Sequence, residues 1–127
     1  MSQMVTRTRG QGSDFSGVAV AGGIAFTSGF IDPAVLLGEA RTLNQQAHAA
    51  LDALLSALEE VGAGSEDVLR VECFLSDQAH ASAWNCVWRT YWPRGTTVTP
   101  ARSTIIVSFV VPGILIEVQA IAAAGAS

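Results

Sequence analysis

The chain of 127 residues has no lysine, a single tyrosine, only two cysteines, and charged residues of both signs amounting to just 14%. Seven arginines against eleven acids leave a net charge of −4. No basic stripe exists to neutralise phosphates, which disfavours nucleic-acid binding. Apolar runs break well short of the roughly 18 residues of a membrane span, and no continuous apolar segment follows the first arginines, so neither a transmembrane helix nor a secretory leader is expected. A soluble cytoplasmic protein is the default. Cys73 and Cys86 lack CxxC or metal-ligand spacing and are expected to be small buried fillers. The Gly-rich dinucleotide and phosphate loops, the zinc-protease HExxH and the GxSxG elbow are all missing.

What the chain does have is apolar residues, 50% of the total. This length supports one hydrophobic core, so residues 1–127 are read as a single domain. Residues 1–14, polar and glycine-containing, are expected to be loose or partly ordered. Val18–Ala21 and Ile24–Ser28 flank Gly22-Gly23 and predict a hairpin. Gly29 is read as a backbone position closed to other residues, and Asp32-Pro33 as a turn. From Thr42 the sequence Ala47, Ala50, Leu51, Leu54, Leu55, Leu58, Val61 recurs at helical spacing, with Gly62 and Gly64 as the stop. Val68–Leu75 reads as a strand. Ala79–Trp92 has a second helical stripe of Ala83, Trp84, Val87, Trp88 and Tyr91, ended at Pro93. Thr104–Val111 reads as a strand, Pro112-Gly113 as a turn, and Ile114–Ile121 as the last strand. The expected order is β-β-α-β-α-β-β, an α+β domain with two helices on one face of a mixed sheet. Since the final strands are apolar on both faces, the uncovered face calls for another subunit.

Two charged residues stand out. Arg102 begins an otherwise uncharged strand, where a guanidinium fork needs a carboxylate or phosphate partner. The bland reading is an internal salt bridge or a solvent-facing edge. Glu117 is the only acid after Asp77 and lies within the apolar run Ile114–Ile121. Burial there would raise its pKa and suit it to accept a proton or orient water. The alternative is that it merely neutralises Arg102, and the two readings are compatible. Asn85 offers one hydrogen bond or a polar helix surface; Ser16 and Ser28 border the hairpin, where hydroxyls often bond nearby backbone. His48 and His80 belong to no ligand pattern. Trp84, Trp88 and Trp92 read as core or interface anchors, one of them able to line a pocket.

Phe15-Ser16, AGGIAFTSGFID at 21–32, VGAGSEDVLRVECFLSD at 61–77, Trp84-Asn85, Tyr91, PARST at 100–104 and PGILIEVQAIA at 112–122 together resemble the RidA/YjgF family of reactive imine and enamine deaminases, the endoribonuclease L-PSP-like proteins. The resemblance spans nearly the whole chain; its most specific element is PARS followed by Glu117 fifteen residues after Arg102. It implies a chorismate-mutase-like fold, a homotrimer with a central barrel, and small-carboxylate clefts at the subunit interfaces. It further implies cofactor-free and metal-free hydrolysis of 2-aminoacrylate and related 2-imino acids to 2-keto acids and ammonia. Arg102 would hold the substrate carboxylate and Glu117 would position water, with Phe15, Ser28, Phe30, Asn85 and Ser103 lining the pocket. The alternatives are a non-catalytic trimeric metabolite-binding or regulatory protein, and a specialised pathway enzyme of the aminomuconate-deaminase type. Two departures bear on this choice: Phe15 stands where the family has a tyrosine, and Phe30 where it has an amide. Together these changes imply either a slowed standard deaminase or an enlarged and reshaped apolar side of the pocket for a different acid.

Overall fold

A computed structural model describes residues 4–12, 14–92 and 99–124. One six-stranded mixed sheet carries the fold: β1 (Thr6–Arg9), β2 (Ser16–Ala21), β3 (Ile24–Thr27), β4 (Val68–Leu75), β5 (Ala101–Ile106) and β6 (Ile116–Ala123), in the spatial order β1-β2-β3-β6-β4-β5. Only β4 and β5 run parallel. Helices α1 (Pro33–Leu36), α2 (Leu43–Glu59) and α3 (Ala81–Trp88) complete the domain. The expected order therefore stands, with β1 and the single-turn α1 added to it.

The hairpin forms where Gly22 and Gly23 both take positive φ, 60° and 76°; two such residues make the two-residue turn whose twist matches its strands. Helix α2 begins at a reciprocal cap. The Thr42 hydroxyl accepts from the Gln45 N–H at 3.2 Å, and the Gln45 side chain accepts from the Thr42 N–H at 3.0 Å. It ends before Gly62, whose φ of 79° only glycine adopts readily. Its stripe Leu51, Leu54 and Leu58 is fully buried, each side chain stabilising the fold by about 1.5–3 kcal/mol.

Alternation decides which residues face α2 and α3. Val71, Cys73 and Leu75 of β4 and Ile116, Val118, Ala120 and Ala122 of β6 are buried in the main core with Trp84 and Trp88 of α3. Arg70, Glu72, Phe74, Glu117, Gln119 and Ile121 alternate with them and lie on the open face, only partly covered. A smaller cluster of Ile31, Val35 and Ile114 closes one end of the sheet. Gln46 ties that end down: buried on α2, it donates to the carbonyls of Arg41 and Gly113 at 3.1 and 3.0 Å and accepts from the Leu115 N–H at 2.9 Å.

Several expectations are corrected. The fifth strand is not Thr104–Val111 but Ala101–Ile106, because β4 ends at Leu75, paired with Ile106, and offers no partner beyond it. The last strand starts at Ile116 rather than Ile114. The second helix is a 3₁₀ turn, Gln78–His80, followed by α3 ending at Trp88; the stop expected at Pro93 lies outside the described residues. Cys73 is buried as expected, but Cys86 is exposed. Among the described residues no helix is long and apolar enough to cross a membrane.

Candidate functional site

Glu117 owes its surroundings to an irregularity in the ladder between β3 and β6. Phe26 pairs with Ile121, but the next bridge joins Phe30 to Val118, so β3 carries one residue more than its partner. The extra residue bulges between them, as at many working sites. The Thr27 hydroxyl fills the gap by accepting from the Ala120 N–H at 2.9 Å. The Ser28 N–H donates to the Gly17 carbonyl at 2.9 Å and its hydroxyl to the Ser16 carbonyl, pinning the bulge to β2.

The bulge lays Gly29 directly against the Glu117 side chain, where a Cβ would fall inside the carboxylate. Any side chain at position 29 would therefore have to displace the Glu117 carboxylate. The φ of Gly29 is not among the positive ones, which corrects the reading of a forbidden backbone conformation. Desolvation holds the half-buried Glu117 carboxyl above the usual glutamate range. It lines a cavity of about 480 Å³ whose other walls include Phe15, Ile31, Phe74, Val107, Phe109 and Ile114.

Arg102 is elsewhere. Its register partner on β4 is Val71, whereas the partner of Glu117 is Phe74. Those two β4 residues point to opposite faces, so one protomer holds its arginine on the helix side and its glutamate on the open side. The guanidinium donates to Asn85 Oδ1 at 2.9 Å and lies 5.1 Å from the Trp88 ring centroid. This fixes the plane of the fork by one hydrogen bond and one cation–π contact. Arg102 remains exposed and, with Asn85, Trp88, Arg89, Thr99 and Pro100, lines a second cavity of about 310 Å³. Among the described residues no carboxylate is within salt-bridge distance of it, so Glu117 does not neutralise Arg102.

The remaining candidates divide between these places. Phe15 borders the Glu117 cavity and Asn85 orients Arg102, whereas Ser28 lines neither cavity and bonds the Ser16 and Gly17 carbonyls. Ser103 faces away from Arg102 and accepts from Arg70 at 2.6 Å. Phe30 is a correction: the bulge turns its ring to the helix side, 5% exposed in the main core, and it lines neither cavity.

One cluster escaped sequence reasoning. On the open face Arg70 donates to Glu72 at 3.4 Å and to Ser103, and Gln119 donates to the second oxygen of Glu72 at 3.0 Å. The one available signal was the period-two recurrence of polar residues through apolar strands. On the helix side a separate surface trio joins α2 to the chain after α3: Tyr91 donates to Asp52 at 2.8 Å and meets His48 Nδ1 at 2.9 Å.

Comparison with known proteins agrees with this architecture. The family described as Endoribonuclease L-PSP matches residues 10–124. A RutC family protein of Synechocystis is 33% identical over 106 residues, 80% of this chain and 79% of that one. A YjgF family member from Neisseria meningitidis superposes with a TM-score of 0.84 at 22% identity, covering 98% of both chains. A member of the YjgF/YER057c/UK114 family from Mycobacterium tuberculosis gives 0.81 at 20% identity, over 94% of this chain and 99% of its own.

Proposed function

Given that the chain belongs to the Endoribonuclease L-PSP family, which includes the YjgF and RidA proteins, we propose that it is a hydrolytic deaminase of small 2-imino and enamino carboxylic acids, built as a homotrimer. The observation that carries this reading is the separation of Arg102 from Glu117 on two faces of one sheet. The carboxylate and the imine carbon of a 2-imino acid are directly bonded and cannot reach opposite faces of one sheet, so a complete site takes the arginine from one copy and the glutamate from its neighbour. The uncovered face and outer strand favour such a neighbour. Phe26, Ile105 and Ile106 are each about half exposed there, and among the described residues β5 has a free edge, which proteins normally cover.

In this arrangement Arg102 grips the substrate carboxylate through its fork while Asn85 and Trp88 hold the guanidinium plane. Glu117 takes a proton from a water molecule as the water oxygen bonds to the imine carbon. That proton passes to the nitrogen; the carbinol hydroxyl then gives its own proton through Glu117 to the nitrogen as the carbonyl forms, the carbon–nitrogen bond breaks, and a 2-keto acid and ammonia leave. Burial raises the basicity of this carboxyl above that of an ordinary glutamate, which favours the transfer. The absence of lysine and the net charge of −4 favour a small acid over a nucleic acid as ligand.

The test generates 2-iminopropanoate with a serine or threonine dehydratase in excess semicarbazide and follows diversion to pyruvate. The expected result is faster pyruvate release with the protein and loss of most of it in Arg102→Ala. No effect at stoichiometric protein would refute the deaminase reading. A solution mass three times 13.2 kDa is expected; a stable monomer would remove the shared site.

A further inference from the structure

Glu117 does not stand in a small polar pocket. The cavity it borders, about 480 Å³, is walled almost entirely by apolar groups, with Phe15, Ile31, Phe74, Val107, Phe109 and Ile114 around it. Cavities of roughly 300–1,000 Å³ hold ligands of drug size. A substrate whose side chain is a single methyl or methylene group would leave most of these walls facing water.

The upper wall is strapped in place. The Gln11 side chain donates to the Ile31 carbonyl at 3.0 Å and accepts from the Ile31 N–H at 3.2 Å, reproducing with one amide the paired hydrogen bonds of a strand. It thereby joins the segment after β1 to the backbone two residues beyond Gly29. Gly10 and Gly12 let that segment close tightly on Phe15, since a Cβ at Gly10 would collide with the Phe15 carbonyl and one at Gly12 would press on its ring. Phe15 is thus held in the wall of the cavity that Glu117 also lines.

We propose that this cavity receives the side chain of the substrate, and that the protein acts on 2-imino acids carrying a bulky apolar side chain, branched aliphatic or aromatic. Gln11 is a positioning residue that keeps Phe15 against that side chain. This inference rests on the deaminase reading for the reaction, but on the cavity alone for the selectivity. A reacting carbon placed beside Glu117 has the apolar space next to it. Each methylene buried there strengthens binding about fourfold.

The experiment supplies three imines made by an L-amino acid oxidase, with catalase, from alanine, leucine and phenylalanine, and measures their loss in competition with semicarbazide. The expected kcat/KM for the leucine- and phenylalanine-derived imines is at least about tenfold above the alanine-derived one. Equal or better use of the alanine-derived imine would overturn the proposal. The corresponding 2-oxo acids separate the two ideas by thermal shift: pyruvate, 4-methyl-2-oxopentanoate and phenylpyruvate. Preferential binding of the two bulky acids without any turnover would refute the deaminase reading and sustain the side-chain pocket. Absence of any preference would overturn the pocket itself. Gln11→Leu, which loses both bonds to Ile31, is expected to raise KM for the bulky imines while kcat holds, with Gln11→Glu, which keeps the acceptor, falling between. An unchanged ratio in Gln11→Leu would overturn the strap.

Discussion

Gly29→Ala isolates the geometry of the proposed site from the stability of the fold. The added methyl must displace the Glu117 side chain, whose nearest atoms include its carboxylate and Cγ, so the carboxylate has to rotate away. Two small effects on stability oppose each other. Gly29 has no left-handed φ, so alanine is admissible there and stabilises by about 0.4–1 kcal/mol through the unfolded chain. Forcing Glu117 off its preferred rotamer costs about 0.5–1.5 kcal/mol. The net change stays within about 1 kcal/mol, a shift of roughly 4 °C or less in Tm. Catalysis has no such compensation, because a displacement of about 1 Å costs on the order of a hundredfold. The assay is semicarbazide competition beside thermal denaturation, run on Gly29→Ala, Glu117→Ala and the double variant. Turnover should fall about a hundredfold in Gly29→Ala with Tm nearly constant, and in the Glu117→Ala background the methyl should cost nothing further. Unchanged turnover, or an additive loss in the double variant, would refute the claim that Gly29 and Glu117 act as one unit.

Gln46→Leu should strand the Leu115 N–H and the carbonyls of Arg41 and Gly113, costing about 3 kcal/mol and lowering Tm by on the order of 10 °C in a denaturation scan. Burial pushes the Cys73 thiol up to about 11, while Cys86 is exposed. Native protein at neutral pH should therefore take up one equivalent of iodoacetamide, at Cys86 by peptide mapping, and a second only in denaturant. Turnover should fall as pH drops, with a midpoint above the ordinary glutamate value, because Glu117 must be ionised to accept a proton and burial raises its pKa. The stability trend runs the other way. A folded-state pKa above the unfolded one makes ionisation of Glu117 cost stability, so the parent should lose stability relative to Glu117→Gln as pH rises through the glutamate range. Parallel stability curves would contradict this.

Local rules made the hairpin, α2 and the central strands legible, because Gly22-Gly23, the Thr42 cap and the leucine stripe each act over a few residues. β1 was not, since Thr6–Arg9 has no apolar periodicity and is a strand only by pairing with β2. The end of β5 depends on where β4 stops, which is a property of a partner rather than of the run 104–111. Arg102 and Glu117 stood out by charge and setting, whereas Asn85 offered only one polar group on a helix. Their placement on two faces was hidden, because register between strands distant in sequence decides it. The one-residue bulge likewise sent Phe30 to the core and gave Gly29 its role, and nothing in the segment SGFI announces that.

Under the proposed division of chemistry between the two sides of one ribbon, two crippled chains are expected to repair each other. Refolding an equal mixture of Arg102→Ala and Glu117→Ala protomers would bring an intact arginine to face an intact glutamate at about one contact in four of a closed ring. Activity would then appear in a blend of two inactive proteins, at about a quarter of the parent's level whatever the number of copies in the ring.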